Sequence, residues 1–528
     1  DSFEARLNLG GLYQQAGKLE QAESWFRKAL QVDPNHPQAH YNLALSLRIQ
    51  ERTKEAIEHL EHVCLLMPRH EGAQLELALL RLNICDWSRR NRDVQTIRSF
   101  FEKTLEEEGL QHDRTWSLNQ IPPDPELQAT VARSVAQRLE KSVEDTRNRC
   151  DFKHDLASTD RLKIGYVSPD FRRHAVGSMI HSMFKHHDRS RFEIHAYSLT
   201  YIDDVFQQEV KRDCEFFHDV EKEDPETLAR RIHDDGIQIL IDLGGFTTFT
   251  KPETFVLRPA PVQVQYLGFL NTMGAEYYHY TIADPVVMTD ELAEHYVENI
   301  VYMPDSFMVT SPFAIDHTPI SRTKVGLPED AVVFASFNTP YKLDPEVFDS
   351  WGRILTSVEN SVLWLYVNEN KLAEENIRIE ARQRGVSEDR IIFATRMDPP
   401  QHLARIRLAD LFLDTFIYNA GATAAGALFA GLPLLTKYGT TVLSRMGSSM
   451  THAAGLDDLI CQTQEEYESK AIELGLDPEK LRAIKEKLAV NLKTCALFDT
   501  QSWVQNLEKG FEQMWVNAQE NEHKPIRL

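Results

Sequence analysis

The strongest constraint on the fold is a repeat. Leu9, Gly10, Tyr13, Ala22, Phe26, Ala29 and Pro34 return as Leu43, Ala44, Leu47, Ala56, Leu60, Val63 and Pro68, each position keeping small or apolar character, or the proline. An offset of about 34 residues is that of a two-helix unit stacked on copies of itself. Gly10/Ala44 and Ala22/Ala56 are small where two helices cross closely, and the larger residues fill the space between helices. Pro34 and Pro68 punctuate the ends of second helices. A third unit begins near His70, carries Leu77 and Ala78, and loses the pattern by Trp87. One such unit cannot bury its apolar face alone, so residues 1–90 are expected to form a short all-α solenoid.

The offsets are those of a tetratricopeptide repeat. A short solenoid of this kind can present a groove to a peptide, or it can act as a capping or dimerising spacer; both readings stay open. Residues 91–158 read as a helical connector. They include the break Ile121-Pro-Pro-Asp-Pro125 and the charged stretch Glu140–Asp155.

The grammar changes at Arg161. Strands are expected at Leu162–Ser168, Phe192–Leu199, Ile237–Leu243 and Val262–Leu267, with helices at Met179–His187 and Asp224–Asp235. A second half repeats the alternation, with strands at Val332–Phe337, Val362–Val367, Arg390–Ala394, Leu411–Asp414 and Leu432–Thr436. Its helices fall at Asp344–Thr356, Leu372–Gln383, Gln401–Leu408 and Thr423–Ala430. Apolar strand runs alternating with helices indicate parallel sheets covered on both faces. Residues 159–318 and 319–528 are therefore expected to be two Rossmann-like lobes, the second including the C-terminal helices. Ligands of such sheets bind beyond the C-terminal ends of strands.

Composition narrows the class. With 528 residues, 42% of them apolar, the chain is too long for one core and too apolar for disorder. No long apolar run spans a membrane, in keeping with a mean hydropathy of -0.40. No basic-then-apolar leader opens the sequence; the lack of an initiator Met and the start inside a helical pattern suggest a trimmed chain. A net charge of -22 argues against general nucleic-acid binding. Six scattered cysteines without a CxxC pair read as reduced thiols of a cytoplasmic protein. No spacing typical of zinc ligands occurs, so no metal is expected, and the adjacent pair His186-His187 reads as a solvated loop.

The candidate site residues follow strand ends. Lys342, in Phe337-Asn-Thr-Pro-Tyr-Lys-Leu-Asp-Pro345, can neutralise a diphosphate and the charge that develops as it leaves. The small-residue run after Asp414 leaves backbone N–H groups of Gly421, Ala422 and Thr423 open to a pyrophosphate at a helix start. His402 and Arg405, one turn apart, can contact a base. In the first half, His174 closes a strand-to-helix loop and can serve as general base or cap the helix; Asp242 is the other possible base. Each has a bland alternative: a capped loop, a tight helix–sheet contact or a salt-bridged helix face.

The ordered segments RLKIGYVSPDFRRH, RRIHDDGIQILIDLGG, ETFVLRPAPVQVQYLG, YMPDSFM, SFNTPYKLDP, SVLWL, RIIF, LADLFLDT and AGLPLLT closely resemble the O-linked N-acetylglucosaminyltransferase family, which includes SPINDLY-type O-fucosyltransferases. The resemblance covers nearly the whole chain. It implies tetratricopeptide repeats followed by a two-lobed α/β GT-B fold. It also implies an inverting transferase needing no metal or other cofactor, which moves N-acetylglucosamine from UDP-GlcNAc to Ser or Thr of proteins selected along the repeats and cleft. On the family pattern His174 matches the active-site histidine, Lys342 the diphosphate lysine, and His402 and Arg405 base-contacting positions. Tyr418, Leu267 and Gly268 match positions around the donor sugar, and Thr339, Met397, Gly421, Ala422 and Thr423 join the nucleotide-sugar set. The brief join between the lobes lacks the large insertion of the animal enzymes, which implies a minimal or bacterial-type homologue.

Several donor positions depart from that pattern. Gly426 stands where the family has an acid for the ribose, Ala422 lacks a phosphate-contacting hydroxyl, Thr339 replaces a glutamine, and Leu270-Asn271 replaces Pro-Gly. Losing one charge-assisted hydrogen bond costs about 1.5–3 kcal/mol, roughly 10- to 150-fold in affinity. Two alternatives follow: a different donor such as GDP-fucose, or a repeat-bearing binding protein with weakened transferase lobes.

Overall fold

The computed structural model describes residues 2–105, 112–157 and 160–528. It divides into two compact units. One runs up to Lys103 and includes Asn370–Glu380; the other holds Thr104–Glu369 and Ala381–Leu528.

The first unit is helical. Helices α1 (Phe3–Gln15) and α2 (Leu19–Leu30) form one hairpin and α3 (Pro37–Ile49) and α4 (Thr53–Leu66) the next; α5 (Glu71–Asn83) and α6 (Arg90–Thr104) follow. Ala22, Phe26, Leu43, Ala44, Leu47, Ala56, Leu60 and Val63 share one core. A Cβ at Gly10 would overlap the Phe26 ring, so the small residue at the crossing is required. Leu9, by contrast, is exposed. The boundary expected at residue 90 falls at the first residue of α6. That helix buries Ile97 and Phe101, and its Asp93 accepts a hydrogen bond from Arg81 of α5 at 3.4 Å. Asn370–Glu380 was expected to belong wholly to the second lobe; Asn376 Nδ2 instead donates to Ile84 O at 2.9 Å.

The second unit contains two parallel sheets. The first comprises β1 (Leu162–Ser168), β2 (Phe192–Ser198), β3 (Phe216–Asp219), β4 (Ile239–Asp242), β5 (Val262–Gln265), β6 (Tyr280–Ala283) and β7 (Asn299–Tyr302). The second comprises β8 (Val332–Ser336), β9 (Ser361–Leu365), β10 (Ile391–Phe393), β11 (Leu411–Leu413), β12 (Leu434–Lys437) and β13 (Ile460–Cys461). A last strand, β14 (Ile526–Arg527), joins the first sheet, whose order is β14-β7-β6-β5-β4-β1-β2-β3. The second sheet runs β10-β9-β8-β11-β12-β13. Each order reverses once, between β1 and β4 and between β8 and β11. Crevices at such switch points are where α/β sheets bind ligands.

Three expectations are corrected here. The connector is no linker: its helix Pro125–Ser142 gives Ala132, Val135 and Ala136 to the core of the first lobe, beside Phe269, Met273 and Tyr277. The C-terminal segment crosses back to the first lobe, where β14 pairs with β7. On the helix Thr500–Gln519, Trp503 Nε1 donates to Ser306 O at 2.9 Å and Glu508 accepts from Asp188 N at 2.8 Å. His187 is fully buried, not solvated, between Tyr166 Oη at 2.9 Å and Glu508 Oε1 at 3.0 Å. Its partner lies hundreds of residues away in sequence, which local polarity does not reveal. All six cysteines are free, and among the described residues no helix is long and apolar enough to cross a membrane.

Candidate active site

The two switch points bring elements of both lobes into contact. The helix Ala175–Ile180, capped by His174 after β1, packs against the helix Ala422–Phe429 that follows β11. A residue suggested as a base and a helix start suggested for a diphosphate therefore belong to touching elements of different lobes.

On the second lobe, Lys342 lies in a short turn beyond β8 and is buried. Its Nζ donates to Asn419 O at 2.8 Å and stands 3.7 Å over the Tyr418 ring. Burial pulls its pKa down to about 7, while the Asp414 carboxylate holds it up. Asp414 is also fully buried, and burial raises it to about 6 against hydrogen bonds from Ala420 N, Thr436 Oγ1 and Thr415 N. Lys342 is thus a buried amine with one charged partner and an aromatic face. Tyr418 is buried and contacts Tyr341 and Trp116 at ring separations of 6.1 and 5.9 Å.

Gly421 caps the helix Ala422–Phe429 without a side-chain hydrogen bond, and the N–H groups of Ala424 and Ala425 return to Gly421 O. Gly421, Ala422 and Thr423 are half-buried, at the start of that helix. Thr339 precedes the Lys342 turn and is also half-buried. His402 and Arg405 stand on the helix Pro399–Ile406. Arg405 Nε donates to His402 Nδ1 at 3.0 Å, its guanidinium also holds Thr395 O, and the His402 ring meets Phe337 edge-on at 5.1 Å. Burial drops the His402 pKa to about 4, so the imidazole is neutral and its Nε2 carries the proton. Met397 is half-buried in the loop before that helix.

The position of the missing carboxylate at Gly426 is narrowed by one side-chain tip. A Cβ there would meet Leu403 Cδ2 at 3.0 Å, so its side-chain direction faces the helix Pro399–Ile406.

On the first lobe, His174 accepts from Val176 N at 3.3 Å through Nδ1, which also lies 3.2 Å from Asp170 Oδ2. The two contacts need opposite tautomers: a bare Nδ1 caps the helix, and an Nδ1–H donates to Asp170. Burial lowers the His174 pKa, with Asp170 opposing, and the side chain is 41% exposed. Asp242 does not suit the role of base. It is buried, its Oδ1 accepts from Gly244 N and Gly245 N at 2.9 Å, and its Oδ2 accepts from Tyr278 Oη at 2.5 Å. Both oxygens hold the turn after β4. Leu267 and Gly268 follow β5. Leu267 has a φ of 69°, and a Cβ at Gly268 would overlap Leu243 O, so this backbone crosses the neighbouring strand end at close range.

Asp414, Asn419, Tyr341 and Trp116 were missed as site residues. For Asp414 a signal existed, an acid ending a buried strand. Trp116 comes from the segment read as connector and had none.

The model for glycosyl transferase family 41 matches residues 84–318 and 314–507, and a tetratricopeptide repeat model matches residues 1–66. An Arabidopsis thaliana protein described as "Probable UDP-N-acetylglucosamine–peptide N-acetylglucosaminyltransferase SEC" is 34% identical over 82% of this chain and 46% of its own length. A Hordeum vulgare protein, "Probable UDP-N-acetylglucosamine–peptide N-acetylglucosaminyltransferase SPINDLY", is 30% identical over 67% of this chain and 38% of its own. The chain spans about half the length, or less, of the curated relatives it matches. A solved lysine-to-methionine mutant of the Thermobaculum terrenum O-GlcNAc transferase superposes with a TM-score of 0.83 at 25% identity, covering 98% of both chains.

Proposed function

The chain belongs to glycosyl transferase family 41, and on that premise we propose that it moves N-acetylglucosamine from UDP-GlcNAc to Ser or Thr of protein acceptors, with inversion and without a metal. The observation that carries this reading is Lys342, buried at the β8/β11 switch point beside the Ala422–Phe429 helix start. A diphosphate there meets an ammonium group and backbone N–H donors, which do the work a divalent ion does elsewhere. The acceptor hydroxyl oxygen attacks the anomeric carbon from the side away from the diphosphate. The bond from that carbon to the β-phosphate oxygen breaks, and the electron pair leaves with the phosphate toward Lys342. The hydroxyl proton passes to His174 Nε2 in the tautomer whose Nδ1–H donates to Asp170, which gives up the Val176 cap. His402 and Arg405 take the base, and Tyr418, Leu267 and Gly268 border the sugar. The helical repeats support selection of protein acceptors.

Calorimetric titration with UDP and with GDP, followed by peptide transfer from UDP-GlcNAc and from GDP-fucose, tests the reading. UDP binding with GlcNAc added to peptides is expected. Transfer only from GDP-fucose replaces the donor, and no binding of either nucleotide at millimolar concentration leaves the binding-scaffold reading in its place.

A further inference from the structure

At the edge of the first sheet farthest from β14, β2 and β3 pair with Tyr197 opposite His218 and His195 opposite Phe216. The side-chain period of two puts His195, Tyr197 and His218 on one face. Asp235, at the C-terminus of the helix Pro225–Asp234, reaches the same place. His195 Nδ1 lies 3.3 Å from His218 Nε2, which lies 3.8 Å from Asp235 Oδ2, and the three ligand atoms are within 4.8 Å of one another. Two zinc–nitrogen bonds of about 2.1 Å at a tetrahedral ion separate their nitrogens by roughly 3.4 Å. The two imidazoles already stand at that spacing, and a side-chain adjustment brings in the carboxylate.

The surroundings are those of a ligand set. His195 Nε2 donates to Glu193 Oε1 at 2.9 Å, which puts its proton on Nε2 and leaves the Nδ1 lone pair directed at the cluster. Tyr197 Oη donates to Asp235 Oδ2 at 2.7 Å and orients that carboxylate. Lys163 Nζ, 3.4 Å from Glu193 and bonded to Asp235 O, limits the negative charge nearby. Burial lowers the pKa of His218 and keeps it a neutral ligand, and its side chain and that of Asp235 retain 19% and 27% exposure, enough for an ion and a water to enter.

We propose that His195 Nδ1, His218 Nε2 and the Asp235 carboxylate bind one divalent transition-metal ion, zinc by ligand type, with water as the fourth ligand. Without the ion, His218 Nε2–H donates to His195 Nδ1; on binding, that proton moves through solvent to His218 Nδ1 and the ion takes its place. The ion fastens the edge strand β3 to β2 and to the Pro225–Asp234 helix, away from the β1/β4 switch point.

The test uses the full chain stripped with EDTA and titrated with zinc chloride, with cobalt(II) as the spectroscopic probe. One equivalent is expected, with the intense visible absorption of tetrahedral cobalt and a raised Tm. His218→Ala and Asp235→Asn, at partly exposed positions, should lose the tight equivalent, and Glu193→Gln should weaken it about 10- to 100-fold. A His40→Ala/His59→Ala variant, which removes the separate histidine contact of the repeats, should keep it. Binding unchanged in His218→Ala, or no equivalent tighter than millimolar in the parent, overturns the proposal. Neither outcome bears on glycosyl transfer.

Discussion

Asp242 closes β4 and Asp414 directly follows β11, at the two switch points, and each accepts backbone N–H groups from the turn that follows. At Asp242 the remaining oxygen goes to Tyr278, a neutral phenol packed in the first-lobe core. At Asp414 the carboxylate faces Lys342, and each buried group shifts the other. The same device therefore yields a closed structural knot in one lobe and a charged site in the other. The difference lies in the partner, a phenol or an ammonium group, and not in the acid.

The largest break in this comparison is Lys342→Ala. Transfer should fall by at least about 10²–10³-fold, the usual cost of removing one donor to developing negative charge, with the circular dichroism spectrum unchanged. Turnover close to wild type would remove Lys342 from the proposed chemistry. Next comes pH. With its pKa lowered to about 7, the free-protein lysine loses its proton as pH rises through that value, so UDP affinity should decline between pH 6 and 9. A declining affinity in Lys342→Met as well would place the titration elsewhere.

Asp242→Ala strands two N–H donors and a phenol, which costs about 1–3 kcal/mol for each group left unpaired. Its denaturation midpoint should drop more than that of His174→Ala, which loses a helix cap at about 1 kcal/mol. Transfer by the folded protein should show the reverse order, with His174→Ala losing about 10²-fold. Equal losses of transfer in the two variants would undo the distinction between knot and site. The smallest effect is expected from Gly426→Asp. Because its Cβ faces Leu403, the variant should be less stable by about 1–3 kcal/mol and gain no UDP affinity. Tighter UDP binding would show that the helix shifts to admit the carboxylate.

Much of this was legible in the sequence. The repeat offset, the long apolar strands β1, β2 and β8, and the residues after β8 and β11 carry local patterns. The strands β3, β6, β7, β13 and β14 escaped; β13 and β14 have two residues each, and β3 is exposed or half-buried along its length and carries no buried apolar run. Lys342 was recognisable by position, but its coupling to Asp414 depends on sheet order, which only the reversal between β8 and β11 supplies. His187 and the cluster of His195, His218 and Asp235 were missed for the same reason: their partners are neighbours in space and strangers in sequence. Cap and base remain rivals at His174, because the cap needs a bare Nδ1 while a base at Nε2 needs the proton on Nδ1.

The return of Thr500–Gln519 and β14 to the first sheet has a consequence for biosynthesis. A chain emerging from the ribosome completes β1 to β7 early, yet the edge beyond β7 stays unpaired until the entire second lobe has been made. His187 likewise waits, beside Tyr166, for the glutamate that will accept its Nδ1–H. Through that interval the β7 side of the first sheet is an unpaired strand edge, the kind of edge most open to mispairing.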